Sequence, residues 1–150
     1  MSTLLTDCEY LALAYQEALK SLRKKEVPVG AVIVRNNFVI AKAHNLKETK
    51  KDVTAHAEIL AIKKAQKKLN DWRLTDCVLY STLEPCPMCA GAIIHARINK
   101  IIFGAKDLKW GAAGSVFNLF QEDFNHKVAI SYLEDSACAQ ILIDFFKGLR

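Results

Sequence analysis

The sequence predicts an α/β fold built as a sandwich, on three observations. Short apolar runs of strand length alternate with amphipathic stretches of helix length, which favours parallel β-α-β pairing with right-handed crossovers. The 150 residues are 51% hydrophobic, enough to bury one substantial core in a single domain spanning 1–150. Six Gly and three Pro are too few for a loop-dominated scaffold, and a 25% share of charged residues excludes a disordered or collagen-like chain.

The elements follow in order. Thr6 and Glu9 stand at capping-box spacing, and Leu11, Ala14, Tyr15, Ala18 and Leu22 recur on one face as far as the basic end at Lys20 to Lys25, so a helix is expected over roughly 7–24. Ala31 to Val34 and Phe38 to Ala41 read as a hairpin around Arg35-Asn36-Asn37, because Asn tolerates the positive φ of a tight turn. A polar loop from Lys42 to Val53 leads to a helix from Ala55 to Leu69, rich in good helix formers and preceded by Thr54 as N-cap. A strand at Cys77 to Thr82, a helix from Pro87 to about Ala96 and a strand at Lys100 to Gly104 come next. Beyond the Gly-rich loop Lys109 to Ser115, Val128 to Tyr132 fits a fifth strand and Asp135 to Leu149 a last helix.

No run of about 18 apolar residues is present, so a membrane span is not expected. The first residues lack the basic, apolar and small-residue pattern of a secretory signal, which points to the cytoplasm. Five cysteines are an odd number, and in a reducing compartment they serve as packing groups or ligands rather than disulfides. Cys8, Cys77 and Cys138 are expected as core thiols.

Two motifs carry chemistry: Thr54-Ala-His56-Ala-Glu58 and Glu84-Pro-Cys86-Pro-Met-Cys89, each at the start of a helix. Cys86 and Cys89 share a helix face, and Pro87 sits where a missing N–H costs little. Two thiolates and an imidazole suit zinc, and the positive end of a helix favours the thiolate form. His56 and Glu58 are about 200° apart around a helix axis and can converge only at its first turn, where side chains lean toward the N-terminus. Three protein ligands leave a fourth position open, as in catalytic zinc sites. A zinc-activated water attacking an amidine carbon would need a carboxylate to move protons, a role that falls to Glu58.

Other readings of the same residues stay open at this point. A Cys-x-x-Cys pair alone could be a thioredoxin-like redox couple, and a structural zinc could take a fourth ligand from His44, Cys77, His95 or Cys138. The chain could also be a catalytically silent nucleic-acid-binding or regulatory module that keeps zinc for folding. His44, His95 and His126 read as structural or surface histidines. Residues 42–68 hold eight Lys against three acids, which accounts for the whole formal charge of +5. Lys63, Lys64, Lys67 and Lys68 read as a solvated helix face, whereas Lys42, Lys47, Lys50 and Lys51 are candidates for phosphate contact.

His-x-Glu followed by Pro-Cys-x-x-Cys is the signature of zinc nucleobase deaminases. The chain resembles the tRNA-specific adenosine deaminases of the cytidine/deoxycytidylate deaminase superfamily through Glu26 to Ala31, His44-Asn45, Asp52 to Ile59, Leu79 to Ile94, Phe103 to Asp107, Gly111 to Ser115, Asn125-His126 and Asp144 to Lys147. It departs from them at Val53, where Pro is usual, and at Leu46, where Arg is common. The resemblance implies a three-layer α/β/α cytidine-deaminase-like fold with a mixed sheet of about five strands. It implies one zinc per subunit on His56, Cys86 and Cys89, with Glu58 as proton shuttle. It further implies that Asn45 contacts the flipped base, that Asp107, Lys109, Phe145 and Phe146 approach a tRNA anticodon stem-loop, and that the protein is a homodimer. The activity implied is hydrolytic deamination of the wobble adenosine to inosine with release of ammonia. The alternative is a free-base or nucleotide deaminase acting on guanine, cytosine or deoxycytidylate by the same zinc chemistry.

Overall fold

The computed structural model describes residues 4–149. Helix α1 (Asp7–Arg23) opens with the expected capping box, Thr6 receiving the Glu9 N–H while Glu9 reaches back to the Thr6 backbone. The hairpin strands β1 (Gly30–Arg35) and β2 (Phe38–His44) turn through Asn36 and Asn37, both at positive φ (51° and 66°), as the tightest right-twisted hairpin demands. A short helix α2 (Lys47–Lys50) occupies the loop before α3 (Ala57–Leu69). Then come β3 (Cys77–Ser81), α4 (Pro87–His95), β4 (Lys100–Phe103), a 3-10 turn (Leu119–Gln121), β5 (Ala129–Tyr132) and α5 (Ser136–Gly148).

The sheet order is β2-β1-β3-β4-β5. β1 runs antiparallel to both its neighbours, while β3, β4 and β5 are mutually parallel, so the sheet is mixed. Parallel pairing through a helical crossover therefore holds for β3-α4-β4. The other crossover, through α3, carries the chain from β2 over β1 to β3.

Alternation along the central strands divides the core in two. Ala31, Ile33, Leu79, Ile101 and Phe103 pack with the inner faces of α3 and α4, and Val32, Val34, Tyr80 and Ile102 pack with α1 and Cys138 of α5. Helices thus cover both faces of the sheet, the three-layer α/β/α arrangement of the cytidine-deaminase-like fold. Gly30 marks the closest approach, since a Cβ there would run into the α1 backbone at Ala14 and Ala18.

Three local expectations are corrected. The buried face of α1 is Tyr10, Leu11, Ala14, Glu17, Ala18 and Ser21, with Leu22 left 38% exposed. Glu17 and Ser21 can be buried because each has a partner: Glu17 pairs with Lys20 and His44, and the Ser21 hydroxyl donates to the Asn45 carbonyl. Cys8 is exposed rather than a core thiol, because it lies two residues before Tyr10 and so on the opposite face. Thr54 does not cap α3; its N–H and hydroxyl both donate to Asp52 Oδ1, and the N-cap is His56.

Candidate active site

β2 and β3 point the same way with β1 between them, so the helices that leave their carboxyl ends begin at the same edge of the sheet. This brings the two motifs together across 30 residues of chain. Both helices open alike. His56 is the N-cap of α3 (φ −74°, ψ 153°) and Cys86 the N-cap of α4 (φ −75°, ψ 172°), and neither uses its side chain to cap. The extended backbone at each N-cap frees the ring and the thiol, while Pro87 occupies the first turn of α4 without loss of a hydrogen bond.

Cys86 Sγ and Cys89 Sγ lie 3.7 and 3.5 Å from His56 Nδ1, and the three donor atoms fall within 4.8 Å of one another. A tetrahedral zinc with its usual Zn–S and Zn–N bonds sets sulfur and nitrogen about 3.5 Å apart, so the donor set fits that ion in both chemistry and spacing. These residues could hold a metal ion. None of His44, Cys77, His95 and Cys138 joins the set among the described residues. His44 lies between Glu17 and Lys24, Cys77 donates to the Thr75 carbonyl, His95 ends α4, and Cys138 packs in the α1 layer. His126 accordingly serves structure, with Nε2 2.8 Å from the Ile98 carbonyl.

A hydrogen bond from Cys89, with a second from His56, holds the Cys86 thiol down to about 4. The Cys86 thiolate in turn raises His56, and it combines with burial to push Cys89 up. A cation among them would draw both sulfurs to thiolates. Glu58, second residue of α3, is 4% exposed and stands outside the ligand set. Burial pushes its carboxyl up to about 7, relieved by its own backbone N–H, His56 and Cys89. A carboxyl that titrates near neutrality beside a metal-ligand set can both accept and return a proton.

Two further buried glutamates shape the rim, and the sequence reading gave neither a role. Glu26 accepts the N–H groups of Glu48 (3.0 Å) and Thr49 (2.7 Å) and so ties down α2. Glu84 accepts from the backbone N–H groups of Asp107, Ala113 and Ser115 and from the Ser115 hydroxyl. The available signal was an acid set among apolar and Pro residues in each motif, at Glu26-Val-Pro and Leu-Glu84-Pro.

The other candidates are spread more widely. Asn45 is buried, its amide donating to the Val27 carbonyl and accepting from Lys47 N–H, and the Leu46 N–H pairs with the carbonyl of Ala55 next to His56. Asp107 Oδ1 accepts from the N–H groups of Lys109 and Trp110, with the Lys109 side chain exposed. Phe145 and Phe146 pack edge-to-face at the last turn of α5, in the layer beside α1 rather than within the ligand cluster. Lys42, Lys47, Lys50 and Lys51 are exposed along the segment before His56, and Lys63, Lys64, Lys67 and Lys68 form an exposed face of α3. No helix among the described residues is long and apolar enough to cross a membrane.

A family model of MafB19-like deaminases matches residues 6–150. The tRNA-specific adenosine deaminase of Bacillus subtilis (strain 168) is 49% identical over 143 residues, spanning 94% of this chain and 89% of that protein. A solved tRNA:A34 deaminase from studies of A-to-I editing at the wobble position of transfer RNA superposes with a TM-score of 0.85 at 43% identity, over 90% of this chain and 99% of its own. The guanine deaminase of B. subtilis follows with a TM-score of 0.65 and 32% identity, over 81% of this chain and 88% of its own.

Proposed function

Because the chain belongs to the MafB19-like deaminase family, we propose that it is a single-domain, zinc-dependent hydrolase that converts the wobble adenosine of a tRNA anticodon loop to inosine and releases ammonia. The observation that carries this reading is a buried carboxyl, Glu58, placed beside the His56-Cys86-Cys89 donor set without belonging to it. His56 Nδ1 and the two sulfurs would hold one zinc per subunit, which supplies the Lewis acidity that ionises water near neutral pH. Glu58 takes the proton of the attacking water, returns it to a ring nitrogen beside C6, and passes the next to the departing amine. The C6–amine bond breaks as the new C6–O bond becomes the carbonyl of inosine, so water enters and ammonia leaves.

Asn45 would meet the extruded base by exchanging its present internal hydrogen bonds for the base edge. Asp107, Lys109, Phe145 and Phe146 would face the RNA. An anticodon loop presents its bases unpaired, which makes extrusion inexpensive for a small enzyme. A homodimer completes the reading, on the strength of the resemblance.

The likeness to guanine deaminase favours one alternative, a free-base or nucleotide deaminase using the same site. The test is inosine formation on an anticodon stem-loop, run beside free adenosine, guanine, cytosine and deoxycytidylate, with zinc measured on the same preparation. Conversion of the stem-loop alone is expected. Turnover confined to a free base or nucleotide would move the enzyme to the metabolic branch, and one bound zinc without turnover would make it a silent module.

A further inference from the structure

We propose that Glu84 is a positioning residue that holds the 107–115 loop in the shape that receives RNA beside the reacting base, an inference that rests on the RNA-deaminase reading. The Glu84 side chain is 2% exposed, and both its oxygens are engaged. Oε1 accepts from Asp107 N–H at 3.1 Å and from the Ser115 hydroxyl; Oε2 accepts from Ala113 N–H at 2.9 Å and Ser115 N–H at 3.1 Å. One carboxylate thus gathers both ends of the loop, and it lies two residues before Cys86.

Packing of large side chains does not hold this segment. Leu108 is 79% and Trp110 65% exposed, so the loop turns its largest apolar groups outward. Its shape is set by polar contacts instead. Gly111 N–H donates to the Asp107 carbonyl and Ala112 N–H to the Pro85 carbonyl, and a Cβ on Gly111 would collide with the Glu84 carboxyl and the Asp107 carbonyl. Four donors converging on one group require a side chain that only accepts. Gln would turn an amide NH₂ toward some of them, which is why a carboxylate is buried here despite the cost of desolvation. The result is a rigid platform carrying Lys109 and Trp110 at the surface, a basic group and a flat ring of the kind that meets unpaired bases.

The test compares wild type, Glu84→Gln, Glu84→Asp, Gly111→Ala and the Glu84→Gln/Gly111→Ala double variant. The readouts are zinc content, kcat and KM on the anticodon stem-loop, and hydrogen exchange at the amides of Asp107, Ala113 and Ser115. Glu84→Gln is expected to keep its zinc, raise KM about tenfold with kcat falling no more than about twofold, and speed exchange at those amides about tenfold or more. Glu84→Asp, which keeps both acceptor oxygens, should recover part of the loss. Gly111→Ala attacks the same contact from the other side, and the double variant should be no worse than the poorer single one.

An unchanged KM with protected amides would overturn the proposal, as would zinc and kcat falling together at constant KM. If Glu84→Gln fails to fold, Gly111→Ala decides on the same criteria. A wild-type enzyme that leaves the stem-loop untouched would defeat the RNA reading, and the exchange arm would then still decide whether Glu84 holds the loop.

Discussion

Glu58, in the first turn of α3, and Glu84, in the loop that leads into α4, are both buried glutamates, and they differ in what surrounds their carboxyls. Glu84 accepts from four donors of a loop more than 20 residues away in sequence, whereas at Glu58 burial outweighs what its own backbone N–H, His56 and Cys89 offset, and the carboxyl is pushed up to about 7. A carboxylate gripped by four donors from one loop holds structure. One that burial pushes up to about 7 beside a metal-ligand set can carry protons. Fold and environment assign opposite tasks to the same side chain.

The sharpest way to break the comparison is to remove the metal ligands from the Glu58 side. Cys86→Ala is expected to lose zinc and all measurable turnover, and unchanged zinc content by atomic absorption would remove Cys86 from the site. Next in size is Glu58→Gln, expected to keep zinc and the fold while turnover falls about 10²–10⁴-fold, since it deletes proton transfer without deleting a ligand. Loss of zinc in this variant would make Glu58 a ligand and erase the distinction.

A third prediction concerns pH in the metal-free protein. The folded Glu58 carboxyl titrates near 7, above its ordinary 4.5, so the stability it contributes in its protonated form is fully present below about 4.5 and is lost as pH rises through about 7. Metal-free Glu58→Gln should therefore gain on wild type by up to about 3 kcal/mol between pH 5 and 9, read from urea midpoints. Parallel pH profiles would show that burial does not perturb this group. The smallest effect belongs to the exposed rim. Replacing Lys47, Lys50 and Lys51 together by Ala should reduce the slope of log affinity against log salt for the stem-loop by about 2, and an unchanged slope would take these lysines off the RNA path.

Much of the scaffold was readable locally. The Thr6-Glu9 capping box, the Asn36-Asn37 turn and the Pro87 helix start each depend on residues within four positions of one another, and each appears as expected. The misreadings occurred where a distant partner decides. Glu17 and Ser21 replaced Leu22 on the buried face of α1 because His44 and Asn45 arrive from another part of the chain to satisfy them. The start of α3 moved from Thr54 to His56 because Asp52 had already claimed the Thr54 hydroxyl. Glu84 attracted no role because its partners lie 23 to 31 residues downstream.

By itself, the sequence determined the donor chemistry of the site, two thiols, an imidazole and a carboxylate at helix starts, together with most of the elements that carry them. Only the tertiary structure decided that β2 and β3 run parallel across β1, so that two helix N-termini open at one edge and His56 meets Cys86 and Cys89. It also decided which glutamate would be clamped by four donors and which would be raised by burial. The reason is physical: caps and turns draw their energy from near neighbours in the chain, whereas burial and the supply of hydrogen-bond donors depend on what the folded chain packs against each group.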